Sequence, residues 1–298
     1  MPQTTQGFEG FETRRIRTNG TELSVRIAGD GPPLILLHGY PQTHMCWAKV
    51  VPDFLQHFQV IAPDLRGYGD SLAPPDDAGH TAYSKRVMAQ DIVGLMDALG
   101  LQQTAVLGHD RGGRVTYRLA LDHPDRVSRI GIIEIVPTGD FWAAWNADLA
   151  MAAYHWTFLA QPAPLPETLI NGDSVGYLET MLARWTLSKS LDPFPPEALE
   201  SYRAQARDPA RIAAMCADYR AGATTDRAID EAETRKIAAP LKFLWAENGF
   251  PARTGDPLSI WRGWAENVSG SSCKSGHFAM EENPQAVLEA FLPFFTAK

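Results

Sequence analysis

Cysteine is scarce in this chain. Cys46, Cys216 and Cys273 are three among 298 residues, and none stands in a Cys-x-x-Cys or Cys/His ligand spacing. The odd number and the spacing argue against a disulfide framework and against a zinc site. No metal or other cofactor is implied. Long apolar runs are also missing, so no segment reads as a bilayer span or a signal peptide. The cytoplasm is the default expectation. Basic runs are absent and the net charge is −8, which argues against general nucleic-acid binding; no membrane partner is expected either. An anionic substrate would have to be attracted locally, by a few placed cations. Internal repeats and low-complexity segments are lacking as well.

Hydrophobic residues make up 45% of the chain and charged residues 21%, the balance of a packed globular protein. Short apolar runs bounded by turn residues alternate with helical patterns. Strands are predicted at Glu22–Ile27, Pro33–Leu37, Gln59–Ala62, Thr104–Gly108, Ser128–Ile133, Leu241–Trp245 and Asn267–Ser272. Helices are predicted at Ser84–Leu99, Arg111–Asp122 and Pro284–Phe295. This is the α/β pattern of a mostly parallel sheet flanked by helices. The rhythm breaks between about Gly139 and Glu231, where no strand is apparent and helix formers and aromatics concentrate, among them Trp142, Trp145, Tyr154, Trp156, Trp185 and Tyr219. We read residues 139–231 as a helical cap inserted into a core made of 1–138 and 232–298. Such a cap would lie over the C-terminal strand ends, where open α/β sheets bind ligands, and would exclude water.

Gly108-His109-Asp110-Arg111-Gly112 follows an apolar strand and opens a helix. Its form is G-x-nucleophile-x-G, with Asp where esterases carry Ser. Such a turn lifts residue 110 to a helix N-terminus, where free N–H groups and the helix dipole favour an anion. Asp110 is therefore the candidate nucleophile. Upstream, Leu37-His38-Gly39-Tyr40-Pro41 ends another strand and resembles the oxyanion-hole turn of α/β-hydrolases. The backbone N–H groups of Tyr40 and Arg111 would face a developing oxyanion. His277, in Gly276-His277-Phe278, follows the last strand, in the chain position of an α/β-hydrolase base. Its task would be to activate the water that cleaves an ester on Asp110. For the acid that orients it we choose Glu134, at the end of an apolar strand; Glu247 and Asp256 compete. Arg111 and Arg114 are three apart at a helix start and can together grip a carboxylate.

The chain resembles the fluoroacetate dehalogenases, a haloacetate-hydrolysing family of the α/β-hydrolase superfamily, over nearly its whole length. The resemblance is carried by HGYPQT (His38–Thr43), DLRGYGDS (Asp64–Ser71), GHDRGGR (Gly108–Arg114), IVPT (Ile135–Thr138), His155-Trp156, DYRAG (Asp218–Gly222) and SGHF (Ser275–Phe278). It implies the α/β-hydrolase fold and hydrolysis of a small anionic 2-haloacid to glycolate and halide through an ester on Asp110. It further implies that Arg111 and Arg114 bind the substrate carboxylate, that His155, Trp156 and Tyr219 donate to the departing halide, and that the protein is a homodimer. The DLRGYGDS loop reads as structural. Glu134 departs from the family pattern, which has Asp there. The extra methylene must be absorbed or His277 will be poorly oriented. The stretch Ala246–Asp256 is not family-like and receives no role. Two other readings remain open. An epoxide hydrolase would use the same Asp and His with cap tyrosines such as Tyr154 and Tyr219, leaving the two arginines without a task. A non-catalytic ligand-binding protein of this fold would not need the retained Asp110 and His277.

Overall fold

The computed structural model describes residues 7–297. Among these, eight strands form one sheet: β1 (Glu12–Thr18), β2 (Thr21–Ala28), β3 (Pro33–Leu37), β4 (Gln59–Pro63), β5 (Thr104–His109), β6 (Val127–Ile133), β7 (Leu241–Ala246) and β8 (Val268–Cys273). Their order is β1-β2-β4-β3-β5-β6-β7-β8. The β1/β2 and β2/β4 pairs are antiparallel and the remaining pairs parallel. β3 and β5 are almost entirely buried, as expected of central strands with helices on both faces.

The predicted strands are present, with ends shifted by no more than one residue. β1 is an addition. Its sequence, ETRRIRT, buries only Ile16 and Thr18, so it gives no apolar run. It exists because the Asn19-Gly20 turn pairs Thr18 with Thr21, both turn residues having positive φ. An Asn-Gly hairpin is a strong local signal, and the arginines of β1 blunt a sheet edge that would otherwise invite pairing. The helix predicted at Ser84–Leu99 runs Lys85–Ala98, with the Ser84 hydroxyl accepting the Val87 N–H as cap. Arg111–Asp122 and Pro284–Thr296 follow prediction closely.

Between β6 and β7 the chain forms helices only, from Thr138–Ala143 to Thr225–Glu231. Entry and exit of this segment are pinned together. One Asp230 carboxylate oxygen accepts the Gly139 N–H at 3.0 Å and the hydroxyl of Tyr117, on the elbow helix, at 2.7 Å. The longest of these helices, Pro209–Ala223, begins at an Asp208 cap and carries Asp218 and Tyr219 toward the strand ends. No helix among the described residues is long and apolar enough to cross a membrane, and none of their His, Cys, Asp and Glu groups is clustered to hold a metal. All three cysteines are free and buried.

Candidate active site

Asp110 sits between β5 and the helix Arg111–Asp122 with φ 47° and ψ −118°. This is a strained backbone that a surrounding structure must hold in place. The close approach of neighbours explains Gly112: a Cβ there would lie 2.3 Å from the Leu37 carbonyl oxygen. The turn leaves Asp110 buried, with its carboxylate facing the cavity beneath the helical segment. Its Oδ2 accepts the Tyr40 N–H at 2.9 Å, and Oδ1 lies 3.9 Å from His277 Nε2. Burial alone would raise the carboxyl pKa. The combined pull of His277, His109, Arg111 and Arg114 outweighs it and leaves the pKa below the ordinary Asp value. The group is an anion at neutral pH.

His277 is held by two backbone contacts from distant parts of the chain. Its N–H donates to the Trp185 carbonyl at 2.9 Å, and its own carbonyl accepts from His109 Nε2 at 2.8 Å. Burial, reinforced by His277, holds His109 neutral, with a pKa lowered to about 3. His109 is a middle residue of the elbow that sequence reading passed over; its contact lies 168 positions away and has no local signature. On its other side His277 Nδ1 faces Glu134 Oε1 at 3.9 Å, beyond hydrogen-bond reach, and has no bonded partner.

The Glu134 carboxylate is occupied elsewhere. Oε2 accepts the Ala246 N–H at 2.6 Å and Oε1 the Phe250 N–H at 3.0 Å. The longer side chain is thus taken up by the loop after β7, a stretch that received no role from sequence alone. Gly249 shows why. A Cβ at 249 would lie 1.8 Å from Glu134 Oε1. Glu134 and a side chain at 249 therefore exclude each other. Burial pushes the Glu134 carboxyl above its ordinary value, opposed by His277 and the two N–H donors. The competing acids sit elsewhere: Glu247 is exposed, and Asp256 caps a helix through the Leu258 N–H.

The two arginines differ. Arg111 is fully buried and bound to Asp218, with Nε to Oδ2 at 3.0 Å and Nη2 to Oδ1 at 2.7 Å. The same carboxylate accepts from Lys85 and, at 2.7 Å, from Tyr68. Burial alone would raise the Asp218 pKa, but Arg111 and Lys85 outweigh it and hold the carboxyl far below the ordinary range. The DLRGYGDS loop thus reaches the site through Tyr68. Arg111 keeps one nitrogen, Nη1, without a partner. Arg114 bonds only neutral acceptors, the Val136 carbonyl and the Thr138 hydroxyl, each at 3.0 Å, and leaves Nε free. Its guanidinium lies 4.6 Å from the Trp156 ring centre, and that of Arg111 lies 4.2 Å from Tyr219.

A cavity over Asp110 is walled by Arg114, His155, Trp156, Tyr219 and His277, with Trp185 and Phe250 completing it. It has room for roughly one water. Burial holds His155 neutral, and its Nδ1 has no partner. Trp185 Nε1 is likewise buried and unpartnered. In the sequence Trp185 was only one aromatic of the cap. The other epoxide-type tyrosine, Tyr154, points to Met181 Sδ at 3.5 Å and is not part of this wall. The arrangement offers a fixed carboxylate, an imidazole beside it, and cations and neutral donors around a small enclosed volume.

The α/β hydrolase fold family matches residues 32–284. A fluoroacetate dehalogenase from Burkholderia sp is 38% identical over 289 residues, covering 96% of this chain and 95% of that one. A soluble epoxide hydrolase from Corynebacterium sp. (strain C12) is 34% identical over 282 residues, covering 93% and 94%. Among solved structures, an α/β hydrolase from Nostoc sp PCC 7120 superposes with a TM-score of 0.95 at 46% identity, covering 98% of this chain and 100% of that one.

Proposed function

The chain belongs to the α/β-hydrolase fold family, and from that premise we propose that it cleaves the carbon–halogen bond of a small 2-haloacid, fluoroacetate or chloroacetate, through an ester on Asp110. The observation that carries this reading is Arg114. It is a buried guanidinium in the cavity wall, hydrogen-bonded only to neutral groups. A buried cation calls for an anion, and a substrate carboxylate supplies one. The free Nη1 of Arg111 offers a second donor. An epoxide carries no such charge. It would need a pair of acidic hydroxyls, whereas Tyr219 stands in the wall without Tyr154.

In the first step Asp110 Oδ1 attacks the α-carbon, and the halide leaves with the bonding pair. Oδ2 already rests on the Tyr40 N–H. Holding the carboxylate against Arg114 and Arg111 sets the α-carbon in line, and such positioning can supply roughly 7–11 kcal/mol of a barrier. Neutral His155, Trp156 and Tyr219 replace part of the halide's hydration. A preorganised donor of this kind is worth about 3 kcal/mol. In the second step His277 takes a proton from water, and the resulting hydroxide adds to the Asp110 carbonyl carbon. The Tyr40 and Arg111 N–H groups hold the oxyanion. Collapse breaks the ester C–O bond, His277 returns its proton to the departing glycolate oxygen, and the carboxylic acid left at Asp110 loses its proton to solvent, restoring the carboxylate. Glu134 orients and stabilises the imidazolium, which requires its 3.9 Å separation from Nδ1 to tighten.

A single turnover of chloroacetate in heavy-oxygen water, with enzyme in excess, tests the ester. The first glycolate should carry ordinary oxygen and Asp110 should acquire the label. Label in the first glycolate would mean that water attacks carbon directly.

Gly249→Ala should slow ester hydrolysis while leaving ester formation intact. The new methyl must displace the Glu134 carboxylate, and a misplacement of about 1 Å can cost up to about 100-fold. Rapid-quench measurement of halide burst against steady state separates the two rates. Equal slowing of both would remove Glu134 from the hydrolytic step.

A further inference from the structure

The cavity over Asp110 has almost no room of its own, but a second hollow adjoins it. This one holds about 450 Å³ and shares Glu134, Trp185, Phe250 and His277 with the inner wall. Three cations line it: Arg184, Lys189 and Arg253. All three are exposed. Arg184 Nη2 donates to the Met151 carbonyl at 3.0 Å and Lys189 Nζ to the Arg184 carbonyl at 2.8 Å. None of the three forms an ion pair among the described residues. Glu134 is the carboxylate of this lining, and its oxygens are taken by backbone N–H groups. Glu282 stands behind the wall, with its carboxylate bound to the N–H groups of Leu187, Gly276 and Phe278.

This charge runs against the composition. The whole chain carries −8 and would repel a small anion at long range. A hollow lined by cations of one sign, with low-dielectric walls behind them, concentrates anions locally. Two buried polar atoms without partners, Trp185 Nε1 and His277 Nδ1, belong to residues of the shared wall.

We propose that this hollow is an anion-selective entrance, an outer binding site in which Arg184, Lys189 and Arg253 collect a small monocarboxylate before it passes Trp185 and Phe250 to Asp110. The inference rests on the proposed haloacid substrate. The cations are hydrated, so the outer site binds weakly and acts on capture rather than on chemistry.

The test is the triple variant Arg184→Gln, Lys189→Gln, Arg253→Gln beside the wild type. Its KM for chloroacetate should rise about three- to ten-fold with kcat unchanged, and the fall of kcat/KM with added salt should flatten. Restoring charge with Arg184→Lys and Arg253→Lys in place of the Gln substitutions should recover most of the loss. If the wild type releases halide and the variant matches it in KM and salt response, the entrance is overturned and the proposed reaction stands. If the wild type releases no halide, the proposed reaction falls, and quenching of tryptophan fluorescence decides the entrance. Stronger iodide quenching of wild type than of the variant, with equal quenching by neutral acrylamide, would support an anion site there. Equal iodide quenching would overturn it.

Discussion

Asp110→Asn is expected to lower halide release from chloroacetate and fluoroacetate by more than about 10⁴-fold, the scale on which removing a nucleophile acts. The substitution is nearly isosteric. Its amide oxygen can still accept the Tyr40 N–H that Oδ2 accepts now. Asn also tolerates the positive φ of residue 110 better than most side chains. The fold should therefore survive, with a melting temperature close to wild type. What disappears is the full negative charge, and with it the nucleophile that the neighbouring histidines and arginines keep ionised. Ion-selective electrode measurements of fluoride and chloride over several hours would check this. Release within about ten-fold of wild type would make Asp110 a positioning carboxylate and direct attack by water the mechanism.

His277→Asn should divide the reaction in two. Ester formation needs no proton transfer, so the variant should release one equivalent of halide and stop. Intact-protein mass spectrometry should then find the mass of a carboxymethyl group added, and peptide mapping should place it on Asp110. Steady-state turnover should fall by about 10³-fold or more. Wild type should approach the same state on acidification. Burial raises the Glu134 carboxyl above the ordinary Glu value, while Asp110 is held below the ordinary Asp value. As pH falls, Glu134 is therefore neutralised first and loses its hold on the imidazolium, whereas Asp110 still attacks. The esterified fraction of enzyme during turnover should grow toward acid pH. A fraction that stays constant, or an adduct that never forms in His277→Asn, would remove the ester from the pathway.

The elements around the reaction were legible because they depend on local rules. The elbow shows as two glycines around Asp110 between an apolar strand and a helix, and the structure places the residue there. Tyr40, Arg114, His155, Trp156, Tyr219 and His277 come from separate stretches, yet each was named from a motif. Partnerships across the fold were less visible. Asp218 was quoted only as part of DYRAG; its bonds to Arg111, Lys85 and Tyr68 join positions 107, 133 and 150 residues apart. Sequence made Arg111 and Arg114 an equivalent pair, but Asp218 neutralises the first and no bonded carboxylate neutralises the second. Likewise the loop after β7 looked idle because its contribution is made by backbone N–H groups and by the absence of a side chain at Gly249. The missed strand β1 had the opposite cause: its Asn-Gly turn was in plain view, but its charged alternation concealed it.

The most direct test of the account is to incubate wild-type protein separately with fluoroacetate, chloroacetate and styrene oxide, and to measure halide, glycolate and diol. Halide and glycolate should form in equal amounts from the haloacids, with little or no diol. Diol formation without halide release would contradict it, and would mean that the buried guanidinium of Arg114 serves something other than a substrate carboxylate.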